Sequence, residues 1–415
     1  MLCPLRVGVP IPVDHPTSGG GFQFQHTIFS EILKRILSES TGELIQYVPI
    51  ATHTNCRDLW PIDDSRIVDV SPSRALRLGS SLYSRVKRRL SPWAGLAPDN
   101  TLLGRQIAAR IASKIDVLWN LNPLTLTTQI PFILTVWDLQ HRVQPFFPEV
   151  SLGGEWQSRQ DLYWHYAPKA FLSVVGTYRG SDEMQRFLGI DESRILVNSF
   201  PCPEPTSVSK DIQSEVLRGF RLRPLEYLLY PAQFWPHKNH MGLVFALNRL
   251  KELDRSFKLV LTGSDKGCMQ SVLALVDKLG LSELVVNAGF VSREQLSSLY
   301  QNCFSLVYPS FFGPDNIPPL EAMSYSCPAI VADVPGSLEQ YGDAVMRFNP
   351  NRPQDIADCV TRLADNRCLR DSLILKGLKL ISGMTAANYV NHIEKVLIDS
   401  YISICCASMR MARSS

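Results

Sequence analysis

At 415 residues the chain exceeds one ordinary core, and two domains of about 200 residues each are the natural expectation. A composition of 45% apolar and 20% charged residues, without repeats or low-complexity tracts, excludes a disordered or fibrous chain. A net charge of +3 gives no general affinity for polyanions, so nucleic acid is not an expected partner, and no apolar run reaches the ~20 residues of a bilayer span.

The N-terminal stretch MLCPLRVGVPIPV lacks the charged start and apolar core of a signal peptide. The ten cysteines are scattered, apart from adjacent Cys405 and Cys406, with no C-x-x-C pair. Free thiols of a cytoplasmic protein are the reading, and neither a metal nor a cofactor is called for.

In chain order, the first half carries strand candidates at 5–9, 44–50, 115–120, 131–137, 170–175 and 194–198. After the first of them, HPTSGGGFQFQHTIF (15–29) runs glycines into a helix, which suits an anion or a sugar hydroxyl but equally suits a plain turn. SRALRLGSSLYSRVKRRLSPW (73–93) spaces Leu78, Leu82, Val86 and Leu90 every four residues among six basic side chains. Such a helix either packs its apolar stripe on a core or lies on an anionic membrane, and the second option makes the inner membrane face a candidate location.

A polar, proline-rich stretch, PCPEPTSVSKD (201–211), divides the chain into residues 1–205 and 206–384. The second half alternates apolar runs at 227–233, 257–263, 284–290, 304–310, 328–334 and 344–348 with helical segments at 239–254, 267–280 and 292–302. Strands apolar on both faces, separated by helices, give an α/β protein with parallel, doubly wound sheets. In such sheets ligands sit beyond the carboxyl ends of the strands. Two such domains face a central cleft. A terminal helix is expected over 385–404, followed by a frayed tail.

The loops after the strands then hold the candidate residues. In FWPHKNH (234–240), Lys238 stands where a helix begins, and a cation there opposes the helix dipole unless an anion lies between them. In FFGPDNIPPLEAM (311–323), three prolines restrict the loop before Glu321, a first-turn acid. Glu321 either offsets the dipole by roughly 0.3–1 kcal/mol or accepts hydrogen bonds from a ribose diol.

YPAQFWPHKNH, NAGFVSREQLSSLYQNC and VYPSFFGPDNIPPLEAMSYSCPAIVADVPGSLEQYGDA resemble, in order and spacing, the donor-binding domain of glycosyltransferase family 4. The resemblance implies the GT-B fold, two Rossmann-like domains facing a cleft, with the terminal helix crossing back to the first. It implies a retaining transferase using a nucleotide-diphosphate sugar without a metal. Lys238 matches the lysine that neutralises the diphosphate, and Glu321 the second acid of the E-x7-E motif, which holds the ribose. Gly289, Phe290 and Val291 match the segment reading the base; Asn316 and Ile317 match the backbone near the transferred sugar and phosphate. Gly20 and Gly21 match the glycine loop near diphosphate and acceptor, which makes Gly21 a catalytic-centre candidate. Glu339 matches a family acid with a structural role.

Three positions depart from the pattern. The first acid of E-x7-E falls on Gly313, the arginine ahead of the lysine on Gln233, and the histidine of a His-Asp pair on Trp137, leaving Asp138 as the catalytic-centre acid. Asp315 or Asn316 is the expected substitute for the lost acid, and His141 a candidate polar group on the acceptor side. The resulting expectation is hexose transfer, with mannose named from the family's tendency, to a saccharide or lipid-linked acceptor in cell-surface polysaccharide synthesis. The alternatives are a nucleotide-sugar binder without catalysis and a GT-B nucleotide-sugar epimerase.

Overall fold

The computed structural model describes residues 3–13, 20–38, 44–52, 60–71 and 102–414. The basic stretch 73–93 and most of the loop after the first strand lie outside them.

Thirteen strands form two parallel sheets among the described residues. β1 (Leu5–Pro10), β2 (Ile45–Ala51), β3 (Val68–Asp69), β4 (Val117–Asn120), β5 (Phe132–Thr135), β6 (Leu172–Val175) and β7 (Ile195–Val197) build the first, in the order β3-β2-β1-β4-β5-β6-β7. β8 (Tyr227–Pro231), β9 (Lys258–Thr262), β10 (Val285–Gly289), β11 (Ser305–Tyr308), β12 (Ala329–Ala332) and β13 (Met346–Phe348) build the second, in the order β10-β9-β8-β11-β12-β13. Every strand read from the sequence is present, and the two-residue β3 is an addition.

The sheets form where the sequence places residues apolar on both faces. All four residues of β4, β5, β6, β11 and β12 are buried, as a sheet covered by helices on both sides requires. Each fully buried Leu, Ile or Val there contributes about 1.5–3 kcal/mol.

Strand order reverses between β1 and β4 in the first sheet and between β8 and β11 in the second. These are the switch points where a doubly wound sheet leaves a crevice. The loops after β1, β8 and β11 carry Gly20 and Gly21, Lys238, and residues 311–321 respectively, so the candidate residues collect at the crevice by topology.

The last helix, Ala386–Ser414, continues through the tail expected to fray. Its buried Tyr389, Val390, Ile393 and Leu397 join the core of the first domain, and Glu394 pairs with Arg35 and accepts from the Tyr47 hydroxyl at 2.8 Å. No described helix is long and apolar enough to cross a membrane. Cys3, Cys202, Cys268, Cys303, Cys327, Cys359, Cys368 and Cys405 are free thiols.

Candidate active site

β8 ends at Pro231, and Pro236–Lys238 make one turn of 3-10 helix. Asn239 follows with φ 55°, and its side chain accepts from the Gly242 N–H at 3.2 Å to cap the helix His240–Glu252. That turn fixes Lys238. Its ammonium donates to the Tyr308 hydroxyl at 2.8 Å and lies 5.1 Å from the centre of that ring. Tyr308 donates onward to Asn316 Oδ1 at 3.2 Å. Among the described residues no carboxylate pairs with Lys238. A half-buried cation without a carboxylate partner, beside a helix start, is chemically suited to meeting an anion.

The neighbouring Gln233 is occupied: its Oε1 accepts from Trp235 Nε1 at 2.9 Å and its Nε2 donates to Ser264 at 3.3 Å. Gly289 has φ 63°, which favours glycine, and its carbonyl accepts from the Gly263 N–H at 2.7 Å. Phe290, just beyond, is 62% exposed, a free aromatic face at the strand end. Val291 is half-buried beside it.

Glu321 lies in the first turn of Pro318–Ser324 and accepts from the Tyr300 hydroxyl at 3.2 Å. Burial pushes its carboxyl above the usual range, against the pull of Tyr300 and the Arg293 charge. Of the motif backbone, the Asn316 N–H is spent on Gln340 Oε1 at 3.1 Å. Ile317 is the N-cap of the helix that carries Glu321.

Gly313 leaves no room for an acid. A Cβ there would lie 2.6 Å from the Pro335 carbonyl oxygen and 2.9 Å from Val334 Cγ2. Two residues on, Asp315 adopts φ 70° and presses on Gly176 at the end of β6, where a Cβ would fall 2.1 Å from its Oδ1. Burial first, then the charges of Glu339, Glu183 and Asp138, hold the Asp315 carboxyl well above the carboxylate range. That shift favours the neutral carboxyl, the form that can donate a hydrogen bond.

On the N-terminal side, Gly20 and Gly21 open the helix Gly20–Leu37. A Cβ on Gly21 would meet the Trp137 ring at 2.6 Å, so the glycine lets the indole lie against the start of the helix, whereas Gly20 faces open space. Asp138 accepts from the Gln140 N–H at 2.9 Å and pairs with Arg159 at 3.5 Å, with about a third of its side chain exposed.

His141 does not stand on the acceptor side. It is fully buried in the first domain, stacked 5.8 Å from Tyr163 and 3.2 Å from Gln160 Oε1. The short helix Gln140–Val143 turns its ring inward, under Glu155–Tyr166. Burial pushes it down to about 4. His240, buried on Phe234, is pushed down to about 3 in the same way.

Those two rings set an acid limit. Between pH 6.5 and about 4 the unfolded chain takes up both protons and the folded chain neither. Their contribution is complete above pH 6.5 and is lost on acidification, at up to about 3 kcal/mol per pH unit. The melting temperature should fall steeply from pH 6.5 to 4.5; a flat profile would contradict both assignments.

The domains meet through pairs that sequence reading missed. Gln144 Nε2 donates to the Phe311 carbonyl at 2.7 Å, and Gln140 Nε2 to that of Gly313. Glu149 accepts from the N–H of His237 at 2.9 Å and from its Nδ1–H. Glu339 accepts from the N–H groups of Tyr178 and Arg179, at the start of the helix Tyr178–Leu188 in the other domain. Partners up to 173 positions apart have no local signature.

Residues 222–379 match the family described as Glycosyl transferases group 1. Among curated proteins, the chain is 31% identical over 249 residues to the O-antigen chain mannosyltransferase RfbU of Salmonella typhimurium, covering 58% of this chain and 65% of the relative. It is 29% identical over 215 residues to O-antigen chain mannosyltransferase B of Escherichia coli, covering 51% and 55%. The match thus spans less than two thirds of either relative's length. Among solved structures, HepE of Anabaena in complex with UDP-glucose aligns with a TM-score of 0.67 at 12% identity, over 95% of this chain and 100% of that one. A glycosyltransferase from Rickettsia africae aligns at 0.63 and 14%, over 97% and 99%. At such identities the likeness is one of fold, and that fold is GT-B.

Proposed function

We propose, from the premise that residues 222–379 belong to the group 1 glycosyltransferases, that this chain is a retaining hexosyltransferase using a nucleotide-diphosphate sugar. The donor sugar is mannose and the acceptor a saccharide or lipid-linked saccharide of a cell-surface polysaccharide. The mannosyltransferase relatives support this choice, and they give no support to the epimerase or the non-catalytic binder. The basic stretch 73–93 is the proposed membrane contact of a cytoplasmic protein.

One observation carries the reading: Lys238, unpaired by any described carboxylate, at the β8/β11 switch point beside the motif loop. Departure of a nucleoside diphosphate gathers negative charge on its phosphates while the sugar becomes cationic. Lys238 and the start of the helix Gly20–Leu37 supply positive potential to the leaving group. In this scheme the acceptor hydroxyl approaches on the face that the phosphate leaves, and the departing phosphate oxygen takes its proton. Asp315 hydrogen-bonds a sugar hydroxyl. Glu321 accepts from the ribose, with Tyr300 fixing its orientation, and Phe290 offers an apolar face to the base. No step requires a metal ion or a cofactor.

A thermal-shift screen against nucleoside diphosphates and their sugars, GDP-mannose and UDP-glucose included, identifies the donor; a panel without any shift refutes the reading. Glu321→Ala should weaken nucleoside diphosphate binding by about tenfold, the loss of hydrogen bonds to a charged acceptor. Calorimetry showing unchanged affinity would remove Glu321 from the ribose.

A further inference from the structure

The turn that carries Lys238 is gripped by the opposite domain. That turn begins at Pro236, and the next residue, His237, has both its backbone N–H and its Nδ1–H on one oxygen of Glu149. Glu149 belongs to Pro148–Ser151, in the first domain. Phe312, from the motif loop, stacks 3.8 Å from the His237 ring, and Phe147 packs against Phe311 and Phe312 at 5.6 and 5.2 Å. The Phe311 N–H donates to the His237 carbonyl at 2.8 Å. Glu149, the lysine turn and the motif loop therefore form one connected unit across the crevice.

The Glu149 side chain is only 6% exposed, and its Oε2 is buried without a partner. Opening the crevice would hydrate that oxygen. The contact is therefore strong through Oε1 and penalised through Oε2, a balance that suits a joint made and broken in every cycle.

We propose that Glu149 is a positioning residue: it latches the first domain to the lysine turn, so that Lys238 reaches its working position only when the crevice is shut. The catalytic part of this inference rests on the transferase reading above; the latch itself does not.

The test uses the full chain, first without nucleotide. In Glu149→Ala, hydrogen exchange should speed up by roughly tenfold not only at 236–238 but also at 311–313 and 177–180, which touch the opposite domain elsewhere. Glu149→Gln, which keeps an acceptor oxygen, should give an intermediate rise of about threefold and carries the test if the alanine variant does not fold. Faster exchange confined to 236–238, or none in either variant, overturns the latch.

With a working donor, Glu149→Ala should lower kcat at least tenfold while donor KM stays within about threefold, and Glu149→Gln should recover most of the loss. A change in KM alone overturns the positioning role. If the wild-type chain turns over no nucleotide sugar, the transferase reading fails while the exchange result still decides the latch.

Discussion

Lys238→Ala should lower the rate of sugar transfer by about 10³-fold, the scale on which removing a group aimed at developing charge slows an enzyme. The size follows from where the ammonium stands. It is half-buried, with the Tyr308 hydroxyl and ring as its contacts and no described carboxylate to offset its charge. In a site partly closed to water, one unit charge near a departing diphosphate acts with far less screening than in solution. The substitution leaves no carboxylate without a partner, so the melting temperature should move by no more than about 2 °C. Lys238→Arg should recover only part of the rate, because a planar guanidinium does not place its charge and donors as a compact ammonium does. Tyr308→Phe should cost less than Lys238→Ala, since it removes an orienting hydroxyl and keeps the charge. Steady-state kinetics with a working donor check all three. Full turnover by Lys238→Ala would take the lysine out of the mechanism and leave the leaving-group charge unexplained.

The second sheet was legible from sequence because each of its strands is an apolar run closed by Gly, Pro or a polar turn, and residues such as Ile330 and Val331 have nowhere to go but a core. β3 was not, because two residues carry no periodicity. The tail read as frayed because chain ends often are, yet its helix continues to Ser414. The positions of Lys238 and Glu321 were readable because they depend on local order: a strand end, a proline-fixed turn, a helix start. His141 misled because a histidine three residues beyond Asp138 reads as part of a loop, whereas the short helix there turns it into the core. The contacts of Glu149, Gln140, Gln144 and Glu339 depend on two domains meeting, and no local pattern encodes that. Gly176 belongs with them: its lack of a side chain is explained only by the Asp315 carboxyl resting on it.

Gly313 supplies the second large expectation, and it runs against the motif. If the missing acid were a simple loss, Gly313→Glu would restore it and raise activity. The structure argues the reverse. A Cβ at 313 would sit 2.6 Å from the Pro335 carbonyl oxygen, and one on Gly336 meets Pro314 at the same distance, so the two loops interlock through backbone and ring atoms. Neither is the far end of a flexible side chain that could swing away. Relief requires moving 334–336 or 313–316, and the second segment carries Asp315 against Gly176 and Asn316 against Gln340. Gly313→Glu should therefore cost about 2 kcal/mol of stability, within the range for forcing atoms into packed space, and lower transfer by about 100-fold through displacement of the loop. Gly313→Ala separates the two explanations, because it introduces the clash without the charge and should show most of the same loss. Were the alanine variant harmless and the glutamate variant faster than the wild type, the packing argument would fall, and Asp315 would no longer be needed as the acid that contacts the sugar.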